Sequence, residues 1–313
     1  MDVAAAKKKK RRGFFSLRKG SWQLYIMILL PVAHLLLFRY GPMYGLQIAF
    51  RNFNPVQGIW GSPWVGLEHF QRFFSLHMFQ RVLANTLILS IYGLLAGFPF
   101  SIILAFSVHY LTNRRYAKIV QTTTFMPALI STVVFVGIVL QMFHFRDGLI
   151  TNAVYSITGT RFNFLGRSQY FRHIFVGSGI WQNAGFGAVI YIAGLAGIDP
   201  ALHEAAKIDG ASKVQRMRYV DIPGILPTIV ILFILQMGSI MSVGFERVFL
   251  MQNPTNLSVS EVISTYVYRV GLIAPIPQFS FAAAIGFFDS VVGLVMLIIV
   301  NTIAKKLGGA SLW

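Results

Sequence analysis

The chain of 313 residues is 55% hydrophobic and only 12% charged, with a mean hydropathy of +0.63; a soluble domain carries about 25% charged residues, so this composition excludes one and marks an integral membrane protein. The net charge of +17 reflects basic residues held on the cytoplasmic side of membrane spans, not a nucleic-acid surface, because the tract from Lys7 to Arg12 directly precedes an apolar run. Cysteine is absent, which removes disulfides and thiolate chemistry.

In chain order, residues 1–21 read as a basic cytoplasmic tail. Spans are predicted at 22–40, 83–110, 117–143, 173–197, 223–245 and 279–304, each long enough for a bilayer core that needs about 20 helical residues. The first apolar run, WQLYIMILLPVAHLLLF, exceeds a usual signal-peptide core and no A-x-A site follows, so it reads as an uncleaved anchor. Pro31, Pro99 and Pro127 fall inside predicted spans, where neighbouring helices can satisfy the freed backbone groups. Between the first two spans, segment 41–82 carries Trp60, Trp64, Phe70, Phe73 and Phe74; these are expected at the headgroup level rather than as a sugar-stacking platform.

Orientation follows from the bases. Eight lie in the N-terminal tail, and Arg114, Arg115, Lys118, four in the 198–222 loop, Lys305 and Lys306 bring the inside total to 17 of 27. The inside segments are also shorter, which places both termini in the cytoplasm. The expected fold is therefore all-α and integral to the membrane, with six spans. Its parts are the tail, spans 22–110 enclosing the outer segment 41–82, a core at 111–304 with the loop 198–223, and a tail at 305–313.

Enzymatic signatures are missing. There is no G-x-x-x-x-G-K-[ST] phosphate loop, and His203-Glu204 lacks the second histidine of H-E-x-x-H because Lys207 occupies its place. His34 and His109 read as span-end or packing residues. No catalytic residue, metal site or cofactor is expected in this chain.

The loop between the fourth and fifth spans is the polar exception. Asp199-Pro200 is a helix start, Ala201 to Asp209 favours helix, and Gly210 suits a left-handed helix end. A second short helix is expected at about Ser212 to Val220, ending before Pro223 at the next span. Leu202, Ala205, Ala206 and Asp209 fall on one face. Physics alone leaves two readings, a solvated connector and a docking knob for a cytoplasmic partner.

The spacing resolves them by resemblance. EAA, three residues, Gly, nine residues and then VDIP resembles the EAA loop of ABC importer permeases, EAA-x3-G-x9-I-x-L-P. Glu204, Ala205, Ala206, Gly210, Val220, Ile222 and Pro223 fill its positions, with Val for Ile and Ile for Leu. DGA (Asp209 to Ala211) and ILP (225–227) look like the carbohydrate branch. WVGLEHF (64–70) is similar to that branch's W-x-G-L-x-N-F, with His69 in place of Asn.

The resemblance implies a type I, binding-protein-dependent importer permease of a bacterial inner membrane. Its implied partners are a second homologous permease, two ATP-binding subunits carrying ATP and Mg2+, and an extracytoplasmic solute-binding protein, with lipid around the spans. The loop would seat on an ATPase subunit, Glu204 meeting basic or hydrogen-bonding groups there, and hydrolysis would occur in the partner. The implied cargo is an oligo- or polysaccharide, and an excess of bases outside points to an acidic one such as alginate. Polar residues inside spans, Trp181, Gln182, Asn183, Gln236 and Asp289, are candidates for its path. The rival readings are a secondary transporter, which would need inverted repeats or a proton relay, and a scaffold without a transport path; neither would retain an ATPase on purification.

Overall fold

A computed structural model describes residues 22–306 and 311–312; the basic tail 1–21 and most of the C-terminal tail lie outside them. The chain is nearly all helix, and among the described residues extended pairing is confined to two isolated bridges, Arg51 with Trp64 and Asn54 with Gly58. The principal helices are α1 (Trp22–Phe50), α2 (Glu68–Ser75), α3 (His77–His109), α4 (Arg114–Leu129), α5 (Thr132–Met142), α6 (Leu149–Thr158), α7 (Ser168–Ala196), α8 (Pro200–Ile208), α9 (Lys213–Gly238), α10 (Phe245–Met251), α11 (Ile263–Tyr268) and α12 (Phe279–Lys306).

Four of these, α1, α3, α9 and α12, are unbroken helices long and apolar enough to cross a membrane, and by length and composition there are up to six candidate spans when the bent pairs α4–α5 and α7–α8 each count once. The predicted continuous span at 117–143 is corrected: α4 and α5 meet at 104°. Pro127 is the cause, since it lacks an N–H and sits in a tight 3-10 turn, Met126–Leu129, after which the helix restarts at Thr132. The first span also runs on to Phe50, past the predicted end at 40, through a π-turn at Leu36–Tyr40 and a 3-10 stretch at Tyr44–Phe50.

Packing centres on α7, which lies along α3 and also meets α4 and α9. One apolar core joins Leu89 of α3, Phe135 and Val139 of α5, Phe171 and Phe175 of α7, and Val248 of α10. Another joins Phe73, Val82, Ile240, Ile263, Phe281 and Ile285, tying α2 and α11 to α12. A third joins the end of α3, the end of α7 and the first half of α9 through Phe106, Tyr191, Leu195 and Ile225. By contrast α1 presents Leu24 to Leu30 outward and has no buried residue over Trp22–Leu35, an apolar surface suited to lipid or another subunit.

The outer aromatics divide. Phe70 and Phe73 are buried core residues, not members of an interfacial belt, whereas Trp60, Trp64 and Phe74 are exposed. Trp60 and Trp64 flank the guanidinium of Arg51 at 5.6 and 5.5 Å, which itself donates to Ser62 O at 2.8 Å. His69 is buried, its Nε2 3.1 Å from Arg51 O, so the residue that departs from the family pattern pins this segment.

Candidate coupling loop and translocation cleft

The loop after α7 is built from local rules. Asp199 accepts a hydrogen bond from Ala201 N at 2.9 Å and Pro200 occupies the first helical position, so α8 starts capped and turns 71° from α7. It ends through Gly210 at φ +77°, with Gly210 N donating to Lys207 O at 3.1 Å and Ala211 N to Ala206 O at 2.9 Å. A side chain at that φ would cost about 1–2 kcal/mol, which is why glycine stands there. Ser212 and Gln215 then form a reciprocal cap, Ser212 N to Gln215 Oε1 at 2.7 Å and Gln215 N to Ser212 Oγ at 3.3 Å.

The predicted second short helix is instead the start of α9, which runs unbroken from Lys213 to Gly238. A π-turn at Met217–Asp221 makes this possible: Ile222 N reaches back five residues to Met217 O, and the widened turn accommodates the ring of Pro223. Glu204, Ala205, Asp209, Gly210, Ile222 and Pro223 are exposed, and Ala206 and Val220 are half-buried. Leu202, Ile208, Val214 and Tyr219 are exposed on the same loop, Ile208 at 86%. Four large exposed apolar side chains on a short polar segment form a surface with no partner among the described residues.

At the root of the loop sits an arrangement that sequence reading did not find. Asp221, fully buried, accepts a hydrogen bond from the Tyr110 hydroxyl at 2.5 Å, and its other oxygen lies 3.1 Å from His203 Nε2. Burial and the Asp221 bond push the Tyr110 phenol up to about 12, so it stays a donor at neutral pH. His109 stands beside His203, with ring centroids 6.4 Å apart. The signal available in sequence was an acid one residue before the Ile-Pro of the loop; its partners are about twenty and a hundred residues away.

The proposed path residues do not form one site. Asn183 and Gln236 line a cleft of about 390 Å³ between α3, α7 and α9, with Ser90, Ser101 and Ser242. Trp181 lies against Phe135, ring centroids 5.1 Å apart, and Gln182 is buried; neither lines the cleft. Asp289 lines a separate, apolar pocket with Ile48, Val267 and Gly286, where its Oδ1 has no hydrogen-bond partner among the described residues. Sequence reasoning also missed Arg247 of α10, which lines the cleft. Its guanidinium stacks over Phe175 at 3.9 Å from the ring centroid, and among the described residues it has no ion-pair or hydrogen-bond partner. Burial lowers its pKa to about 10, which leaves it charged at neutral pH. Gly179 makes room for it, since a Cβ there would come within 2.3 Å of Nη1.

Comparison with known proteins places this architecture. Residues 97–309 match the family described as "Binding-protein-dependent transport system inner membrane component". The chain is 38% identical, over all of its length and 97% of the relative's, to the polygalacturonan/rhamnogalacturonan transport system permease protein YteP of Bacillus subtilis (strain 168). Protein LplB of the same organism is 37% identical over 93% of this chain and 91% of that one. A chain in the crystal structure of a bacterial ABC transporter involved in the import of the acidic polysaccharide alginate superposes with a TM-score of 0.84 at 37% identity, covering 91% of this chain and 96% of that one. In the alginate transporter bound to an alginate pentasaccharide-bound periplasmic protein, the values are 0.85, 36%, 93% and 97%. The chain belongs to the binding-protein-dependent transport system inner membrane components, as a multi-pass permease of the ABC importer type.

Proposed function

We propose that this permease moves an acidic oligo- or polysaccharide inward across a bacterial inner membrane, driven by ATP hydrolysis in partner subunits. In this reading α8 and the start of α9 seat in an ATPase subunit. Glu204 supplies the charge, the small Ala205 and Ala206 permit close approach, and Leu202 and Ile208 bury apolar area on docking. The 71° turn at Asp199-Pro200 and the direct run of the loop into α9 make the loop a lever: displacement of α8 is passed to α7 and α9, two of the three helices that flank the cleft. A second, homologous permease completes the path and a solute-binding protein delivers the cargo; ATP and Mg2+ belong to the ATPase pair.

The observation that carries the cargo assignment is Arg247, a cation facing the cleft without an internal counter-charge, beside Asn183 and Gln236. A guanidinium binds a carboxylate in a forked, charge-assisted pair, and amides suit sugar hydroxyls. The substrates for which the relatives are named, polygalacturonan, rhamnogalacturonan and alginate, agree with that chemistry. Reconstituted with its ATPases and binding protein, the permease should show ATPase stimulation by uronate oligosaccharides and little by neutral ones of equal length. Equal stimulation by both would refute the acidic assignment.

A further inference from the structure

The polar cluster at the root of the loop has a composition that packing alone does not demand. His109, His203 and Asp221 each offer one ligand atom, and these atoms lie within 4.8 Å of one another. Zinc held tetrahedrally at about 2.0–2.1 Å from N and O ligands sets them roughly 3.4 Å apart. His203 Nε2 and Asp221 Oδ1 already stand at 3.1 Å, and the remaining contraction is within reach of side-chain rotation. A second observation is compatible with this: Asp221 is fully buried, and beyond the His203 imidazole its Oδ1 has no partner among the described residues. A buried carboxylate is stable only when paired, and an ion bridging it to both imidazoles would pair it more fully than His203 alone.

We propose that His109, His203 and Asp221 form a binding site for a divalent transition metal of the zinc type, with a fourth position open to water. Two imidazoles and a carboxylate suit Zn2+ and disfavour Mg2+ or Ca2+, which take oxygen ligands. The Tyr110 hydroxyl, donating to Asp221 Oδ2, orients the carboxylate so that Oδ1 faces the imidazoles. The ligands come from the end of α3, from α8 and from the beginning of α9, so an ion there ties the loop helix to the two spans beside it. An occupied site therefore holds the loop in one orientation and slows any cycle that requires α8 to swing.

The test uses the full, tag-free and nucleotide-free complex titrated with Zn2+ alone by calorimetry. His144→Ala serves as background, because the exposed His144–Asp147 pair offers a weak competing site. One site per copy of this chain is expected, weakened roughly tenfold or more in His203→Ala and in Asp221→Asn, given that even outer-shell losses cost 10–100-fold. Co2+ in place of Zn2+ should show tetrahedral d–d absorption that the same variants lose. Zn2+ should slow ATPase turnover in the parent and not in His203→Ala. Should Asp221→Asn fail to assemble, His109→Ala supplies the second ligand deletion. No site in the His144→Ala background, or binding unchanged by loss of either imidazole, would overturn the proposal and leave a hydrogen-bonded joint.

Discussion

The loop 198–223 and the cleft are built in opposite ways. The loop comes from one stretch, 198–223, in which each turn is fixed by a neighbour: Asp199 caps α8, Gly210 ends it, and Ser212 with Gln215 starts α9. The cleft comes from three distant stretches, around Ser90–Ser101, Gly179–Gly187 and Gln236–Arg247, and no residue in it means much until α3, α7 and α9 are packed. The loop leaves large apolar side chains exposed, whereas the cleft leaves a cation without an ion-pair partner among the described residues. On the proposed reading each is completed by a partner, a protein groove for the first and an anionic solute for the second.

The largest effect is expected where the loop depends on a single torsion. Gly210→Pro cannot reach φ +77° and removes the N–H that donates to Lys207 O. Uptake in vesicles should fall by about a hundredfold or more, matching the ~3 kcal/mol or more of a misplaced proline. Insertion should persist, because the spans are untouched; retained uptake would remove the loop from the mechanism. Glu204→Lys reverses an exposed charge and should cut coupled transport roughly tenfold, the size of one lost charge-assisted contact. The check is ATPase copurification, which should weaken in parallel.

The cleft makes the next two predictions. Arg247→Gln should lower ATPase stimulation by uronate oligosaccharides roughly tenfold, consistent with ~1.5 kcal/mol for a bond to a charged group, and leave any neutral-sugar response unchanged. Asn183→Leu and Asp289→Leu then divide the residues that sequence grouped together. Asn183 lines the cleft, so its loss should reduce stimulation about fivefold, the worth of one ordinary hydrogen bond. Asp289 lies in the other pocket, so its loss should leave the stimulation constant for cargo unaltered. Equal defects in both would merge the two pockets functionally. The smallest effect belongs to Ser212→Ala, whose lost cap is worth about 1 kcal/mol. Hydrogen exchange should quicken across Lys213–Arg216 with transport nearly intact.

These contrasts explain what could be read in advance. Span number, the all-helical class and the bent loop were legible because hydropathy blocks, capping residues and the EAA spacing act within about twenty residues. The 104° break at Pro127 was not, since a proline inside an apolar run is compatible with a kink or a break, and tertiary packing decides which. The unbroken α9 was missed because Pro223 reads as a helix boundary, and only the π-turn before it removes the conflict. Arg247 was hidden among the ten bases assigned outside, where its number in sequence says nothing about facing α7. Asp221 passed as the variable position of the loop pattern, yet it joins His203 and Tyr110 from two other elements.

The most direct measurement of the central claim is binding-protein-dependent ATPase activity of the reconstituted complex, titrated with size-matched uronate and neutral oligosaccharides, in the parent and in Arg247→Gln. The account predicts strong stimulation by the uronate series in the parent alone. Stimulation that ignores both the carboxylates and Arg247 would contradict it.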